Sequence, residues 1–266
     1  MSAVATPHAH ERPRSDQPTF DKATGPTEPA AVGVDLGSAY LRIWASGRPM
    51  IDIPASYPTG APTRLVRGGR VVNRNRLAAL LRHVLNQYHR QLPARPLVVA
   101  CLPVLTTDDD ERLTRDLLTE VFTPPRLLVI PTVRAAAIGA GAHSGPLLIA
   151  DVGADLVEVA VVAGGRVVAA RRRGRDTSAE PERSVHMIGR LRQDLLRDPA
   201  CGPHLAELGH RPVLLAGGGA VRSPLAAELS GHLNMAVRTA ASPRLAAARG
   251  AGLAALSTLR RLAATP

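Results

Sequence analysis

Asp35-Leu36-Gly37-Ser38 and Asp151-Val152-Gly153-Ala154 share one chemical pairing, an aspartate followed after one residue by a glycine. Each pairing sits in the same frame: an apolar run, the turn, and a second apolar run leading away, over Ala31–Ser46 and Leu147–Val162. Glycine at such a turn lets the main chain approach a ligand closely, and successive N–H groups can then face a phosphate. The aspartate ahead of it would repel phosphate but suits a hydrated divalent cation. One turn of this kind fits a plain hairpin equally well. Two in one chain suggest two jaws closing on the phosphate tail of one nucleotide.

Three further segments follow in order. Pro131–Gly141 (PTVRAAAIGAG) is compatible with a helix directly ahead of the second hairpin. Arg211–Ser230 reads as a strand running into three glycines and then a helix. Ser242–Ala255 reads as a helix with Ser242 as N-cap and Pro243 at its first position. The series resembles the actin-like ATPase superfamily: phosphate-1 loop, first connecting helix, phosphate-2 loop, adenosine motif, second connecting helix. AAAIGAG and LLAGGGA are most similar to the MreB-type bacterial actins, the rod shape-determining cytoskeletal proteins, and the resemblance runs from about Ala31 to Leu259.

That resemblance implies an α/β fold of two lobes, actin-like and ribonuclease H-like, that binds ATP with Mg2+. It would place Asp35 and Asp151 on the hydration shell of the metal. Gly37, Ser38, Ala39 and Gly153 would lie around the phosphates, and Gly217, Gly218 and Gly219 against ribose and adenine. It implies a role in cell shape or cell-envelope morphogenesis, in the cytoplasm or at the inner face of the membrane. The partners implied are envelope-synthesis proteins, a second copy, or a full-length bacterial actin.

The chain departs from the family pattern in several places. Ser38 replaces a threonine, and the family's DIGGGTTD becomes Asp151 to Glu158 with Ala154, Asp155, Leu156 and Val157 between. Asp155 would bring a carboxylate near the terminal phosphate, where like charges repel. The family's water-positioning glutamate is Thr132 here. A threonine is no general base at neutral pH, although its hydroxyl can hydrogen-bond a water. The segments between Pro54 and Leu77, and between Leu196 and Pro212, leave room only for short connections where the family inserts its two small outer subdomains. The expectation is weak ATP-Mg binding with slow or absent hydrolysis. A regulatory pseudo-ATPase scaffold and a small-molecule kinase of the same superfamily are the alternatives, the kinase needing a second substrate.

Composition narrows the partners. At 266 residues the chain can bury a sizeable core. Cys101 and Cys201 are its only cysteines, and the histidines are widely spaced apart from His8 and His10, which argues against disulfides and a zinc cluster. No apolar run approaches membrane-spanning length. The net charge of +11 comes almost wholly from arginine, Lys22 being the sole lysine. These basic residues are scattered and aromatics make up 2% of the chain, so no specific nucleic-acid partner is expected. The one cluster, Arg171, Arg172, Arg173 and Arg175, reads as a solvated face with an anionic membrane surface as its alternative.

Residues 1–29 hold five prolines and no apolar periodicity, and read as a disordered tail without an amphipathic membrane helix. Residues 30–142 would form the first lobe with the first connecting helix, and residues 143–266 the second lobe. Leu77, Leu80, Leu81, Val84, Leu85 and Tyr88 share a helical face, Pro96–Pro103 and Pro125–Ile130 read as buried strands, and Thr107 caps an acidic helix start. Arg64–Val72 reads as an irregular crossover, Arg166–Ala170 as a strand, and Pro212–Ala216 as the final strand. Val185, Ile188, Leu191 and Leu195 mark another helix, and Leu92 is the one apolar candidate for membrane contact in the Gln87–Pro96 loop.

Overall fold

The computed structural model describes residues 30–56, 64–86, 92, 95–142, 145–175, 181–222 and 224–264. The expected tail, His8, His10, Lys22 and Tyr88 lie outside them.

The first half opens with an antiparallel meander, β1 (Ala31–Leu36), β2 (Tyr40–Ala45) and β3 (Ile51–Pro54). A small hairpin, β4 (Val66–Arg67) and β5 (Arg70–Val71), leads into α1 (Arg74–Asn86). Then come β6 (Leu97–Leu102), α2 (Asp108–Phe122), β7 (Arg126–Pro131) and α3 (Thr132–Gly139). β6 joins β1, and β7 joins β6, in parallel. The sheet order is β3-β2-β1-β6-β7.

The second half repeats the plan. β8 (Leu147–Val152), β9 (Leu156–Ala163) and β10 (Arg166–Gly174) form its meander, followed by α4 (Pro181–Leu196). A 3-10 turn (Pro199–His204) and α5 (Leu205–Gly209) lead to β11 (Val213–Ala216). A second 3-10 turn (Gly218–Val221), α6 (Leu225–Leu233), β12 (Val237–Thr239) and α7 (Ala246–Ala263) complete it. Its sheet order, β10-β9-β8-β11-β12, reproduces the first sheet strand for strand. The fold is thus the two-lobed α/β arrangement expected from the sequence. Where outer subdomains were expected to be missing, the described residues hold only β4–β5 and the 3-10 turn with α5.

Apolar faces explain the layers. Every residue of β6 and of β8 is buried, as in strands covered on both sides. Leu77, Leu80 and Leu81 of α1 and Leu117, Leu118 and Phe122 of α2 cover the outer face of the first sheet. Val185, Ile188, Leu191 and Leu195 of α4 do the same for the second, with Leu225 and Leu229 of α6. A third cluster joins both halves through α3 and α7. These two helices touch main chain to main chain: a Cβ on Gly250 would lie 1.7 Å from the Ala135 carbonyl oxygen, and one on Gly139 1.9 Å from that of Ala246. α7 also lies against β1, where a Cβ on Gly33 would meet the Gly252 nitrogen at 2.2 Å. The ring of Trp44 covers Gly252.

Several local expectations are corrected. Arg64–Val72 is not an irregular crossover but contains β4–β5, closed by glycines at positive φ (Gly68 +55°, Gly69 +78°). Ser242 does not cap α7: it starts at Ala246 after Leu245, which makes no side-chain cap bond. Instead the Pro243 carbonyl accepts from Gly217 N (2.9 Å), so Pro243 braces the glycine turn. β11 is followed by β12, so Pro212–Ala216 is not the last strand. β10 runs on to Gly174 because it pairs with β9 along its whole length, which puts Arg171, Arg172 and Arg173 on a strand. Leu92 packs half-buried against the core on the outer face of the first sheet.

Candidate functional site

The β1–β2 and β8–β9 hairpins have the same register about their turns. Leu36 pairs with Leu41 and Asp35 with Arg42; Val152 pairs with Val157 and Asp151 with Glu158. Each aspartate therefore faces the residue seven positions on, and both pairs point into one cleft between the sheets. The cleft has a volume of about 420 Å3, within the usual range for small-molecule sites. Asp35, Gly37, Ser38, Ala39, Thr132, Asp151, Gly153, Gly217, Gly218 and Gly219, the residues expected around nucleotide and metal, all line it.

The three glycines of the 217–219 turn differ in what surrounds them. Gly217 has φ +89°, and a Cβ there would meet Asp151 Oδ1 and the Val152 carbonyl oxygen at 2.5 Å each. A Cβ on Gly219 would meet Val152 Cγ1 at 2.5 Å. Both glycines serve the close approach of β11 to β8. Gly218 has nothing within 4 Å of its Cβ position and faces open cleft.

Buried carboxylates dominate the floor. Burial raises the pKa of Asp35 even though Arg42 Nη1 lies 3.3 Å from its Oδ2. Burial, aided by the charge of Asp35, pushes Asp151 up to about 7. Burial and then Asp151 push Glu158 up to about 8, against the hydrogen bond it accepts from Val104 N at 2.6 Å. Cys101, paired in register with Asp35, has its thiol pushed well up by burial and these carboxylates. Arg42 Nε also lies 3.1 Å from Asp52 Oδ1, a charge contact without hydrogen-bond alignment. Arg244 Nη2 reaches the other Asp52 oxygen at 2.7 Å.

Among the described residues no three His, Cys, Asp or Glu side chains form a metal cage. Mg2+ needs none, since one or two carboxylates plus ligand phosphates are its common setting. Two desolvated carboxylates, the charge of Asp35 raising the proton affinity of Asp151, are a chemically suitable pair for such a cation, relieved by the positive charge it brings. Asp35 and Asp151 fit that role when a phosphate ligand supplies the remaining oxygens.

Asp155, expected to repel a phosphate, is paired. It takes hydrogen bonds from Arg64 Nη1 and, at 3.0 Å, from Gly68 N. Arg175 straps the same turn from the other side, donating from Nη1 to the Gly153 carbonyl (3.0 Å) and from its main-chain N to that of Asp155 (2.7 Å). Thr132 is the first residue of α3 and the only hydroxyl from that helix at the cleft.

Sequence reasoning missed Arg42, Arg64, Arg175 as a cleft residue, and the burial of Glu158. For Arg42 and Glu158 the signal was present: a partner seven residues on is fixed once four residues connect the last pair of the hairpin, Leu36 with Leu41 or Val152 with Val157. For Arg64 there was none, because it acts from a segment far away in the chain, and Arg175 reaches the turn only because β10 runs on to Gly174 beside β9.

Residues 61–174 match the MreB/Mbl protein family model. No curated protein matches the chain in sequence. Among solved structures, MreB 5 of Spiroplasma citri bound to AMPPNP superposes with a TM-score of 0.76 at 14% identity, covering 91% of this chain and 100% of that one. The MamK double helical filament gives a TM-score of 0.66 at 14% identity, covering 86% and 99%. Ethanolamine utilization protein EutJ from Carboxydothermus hydrogenoformans gives 0.60 at 19% identity, covering 85% and 89%. With the doubled sheet order, the two connecting helices and the paired Asp-x-Gly hairpins, these matches show an actin-like fold, similar to that of MreB-type proteins.

Proposed function

We propose that the cleft binds an adenine nucleotide with Mg2+ and that the bound state sets how the protein engages partners in cell-shape or envelope synthesis. The observation that carries this reading is the convergence of both Asp-x-Gly turns and the 217–219 glycine turn on one cleft. One similar structure holds AMPPNP, which supports the ligand class. Hydrolysis is slow or absent, because Thr132 stands at the start of α3 and offers a hydroxyl but no base. A similar structure is a double helical filament, so a second copy of this chain is among the proposed partners. Among the described residues no helix is long and apolar enough to cross a membrane, and any membrane contact in this reading is peripheral.

Gly218→Val tests the reading. Its side chain enters open space, so the fold is retained while the cleft is obstructed. Calorimetric titration with ADP and Mg2+ should show binding to the wild-type protein and at least about a tenfold loss in the variant, or about 1.4 kcal/mol. Equal binding by both would place the nucleotide elsewhere.

The pseudo-ATPase scaffold is favoured by one observation as a second reading. Asp155 and Glu158 tie the two halves together through the chain's own side chains. Nucleotide that bound without changing partner affinity would select it.

A further inference from the structure

Asp155 belongs to the β8–β9 turn, yet both donors to its carboxylate come from the other side of the cleft, Arg64 just ahead of β4 and Gly68 in the β4–β5 turn. The pair consists of a guanidinium, Arg64, and the amide of Gly68, in a turn where Gly68 and Gly69 both have positive φ. A guanidinium beside a main-chain N–H is a donor set that suits phosphate oxygens as well as carboxylate. The Asp155 side chain is only 12% exposed, so it fills the position rather than brushing it. Its turn is held in place as well: Gly153 N donates to the Leu156 carbonyl at 2.8 Å, and Arg175 fastens the main chain of Asp155. An anion built into the chain therefore occupies an anion-binding place at the wall of the cleft.

We propose that Asp155 is a resident anion filling one phosphate position, so that the cleft takes a nucleoside diphosphate in preference to the triphosphate. This deepens the nucleotide reading and rests on it. A longer phosphate chain must either set a second anion beside the carboxylate or displace it from both donors. Either carries a cost that the diphosphate avoids, because the turns at Gly37–Ser38 and Gly153 line the same cleft and are not occupied by Asp155. Arg64 and the Gly68 amide are thus specificity-determining groups through the anion they already hold.

The test is calorimetric titration of the full chain with ADP and with ATP, each with Mg2+, for wild type, Asp155→Asn, Asp155→Gly and Asp155→Gly/Arg64→Ala. Asparagine keeps size and an acceptor but removes the charge; glycine empties the position. Wild type should bind ADP at least about tenfold more tightly than ATP, as expected for one lost charge-assisted contact. Both single variants should raise ATP affinity about tenfold and leave ADP within about threefold. The double variant should lose the ATP gain, since the vacated donors are what the third phosphate uses. Equal wild-type affinities, equal gains for both nucleotides, or an ATP gain that survives Arg64→Ala would each overturn the preference. Binding of neither nucleotide to any of the proteins would overturn the nucleotide reading itself, and the preference with it.

Discussion

Asp151 and Glu158 face each other across the β8–β9 ladder, both buried, and hold protons that exposed carboxyls would have lost. In the unfolded chain they titrate near their ordinary values of 3.8 and 4.5; in the folded protein near 7 and 8. The native state therefore binds more protons between those limits, and stability falls as pH rises through them. Without ligand, the melting temperature should drop between pH 5 and pH 8.5, and Asp151→Asn should flatten that slope. The Asp151 contribution is on the order of 4 kcal/mol at its upper limit. Circular dichroism melts at several pH values read the effect directly; a wild-type slope matching that of the variant would contradict it. At this scale the sequence was legible where chemistry is local. Asp35, Gly37, Asp151 and Gly153 stand out by type and spacing, and they meet in the cleft. What Asp155 touches was not legible, since its partners Arg64 and Gly68 are set by the closing of one half on the other.

Among elements, local signals decided most boundaries. Thr107 accepts from Asp110 N at 3.2 Å and heads a first turn with four acidic residues, so α2 begins where the residues say it must. Thr107→Ala should cost about 1 kcal/mol in denaturant unfolding. Glycines provide a sharper contrast. Gly231 lies inside α6 with nothing near its Cβ position, and Gly231→Ala should stabilise by about 0.5–1 kcal/mol. Gly250→Ala is the same change in a helix, yet its methyl would fall 1.7 Å from a main-chain oxygen of α3, and it should destabilise by about 3 kcal/mol or more. Similar unfolding midpoints for the two variants would contradict the crossing. The elements that escaped reading are short or non-local. β12 has three residues, β4 and β5 two each, and such strands carry too few residues for a period to show. The start of α7 lies later because Pro243 serves the Gly217 turn and the Ser242 carbonyl takes the Leu245 N–H in a turn ahead of the helix, a tertiary demand that overrides a cap signal.

For the whole molecule, the two halves share a sheet order, and the paired sequence hairpins forecast that much; α3 and α7 then lock them through glycine contacts that no periodicity reveals. Across the cleft, the ties run from Asp155 to β4–β5 and from Glu158 to Val104 N. Asp155→Gly removes the acceptor of the Gly68 amide, whose hydrogen exchange should quicken about tenfold or more while the amides of β6 and β8 stay protected. Unchanged exchange at Gly68 would mean that the hairpin is held by other contacts. The packing of Trp44 on Gly252 has a use of its own. It is the chain's single tryptophan, in a molecule with three tyrosines, and its half-buried indole rests on the helix that meets α3 main chain to main chain. The protein thus carries an unlabelled optical gauge at the seam of its two halves. Any ligand that shifts α7 will change the colour of Trp44 emission, and a stopped-flow trace will time the shift.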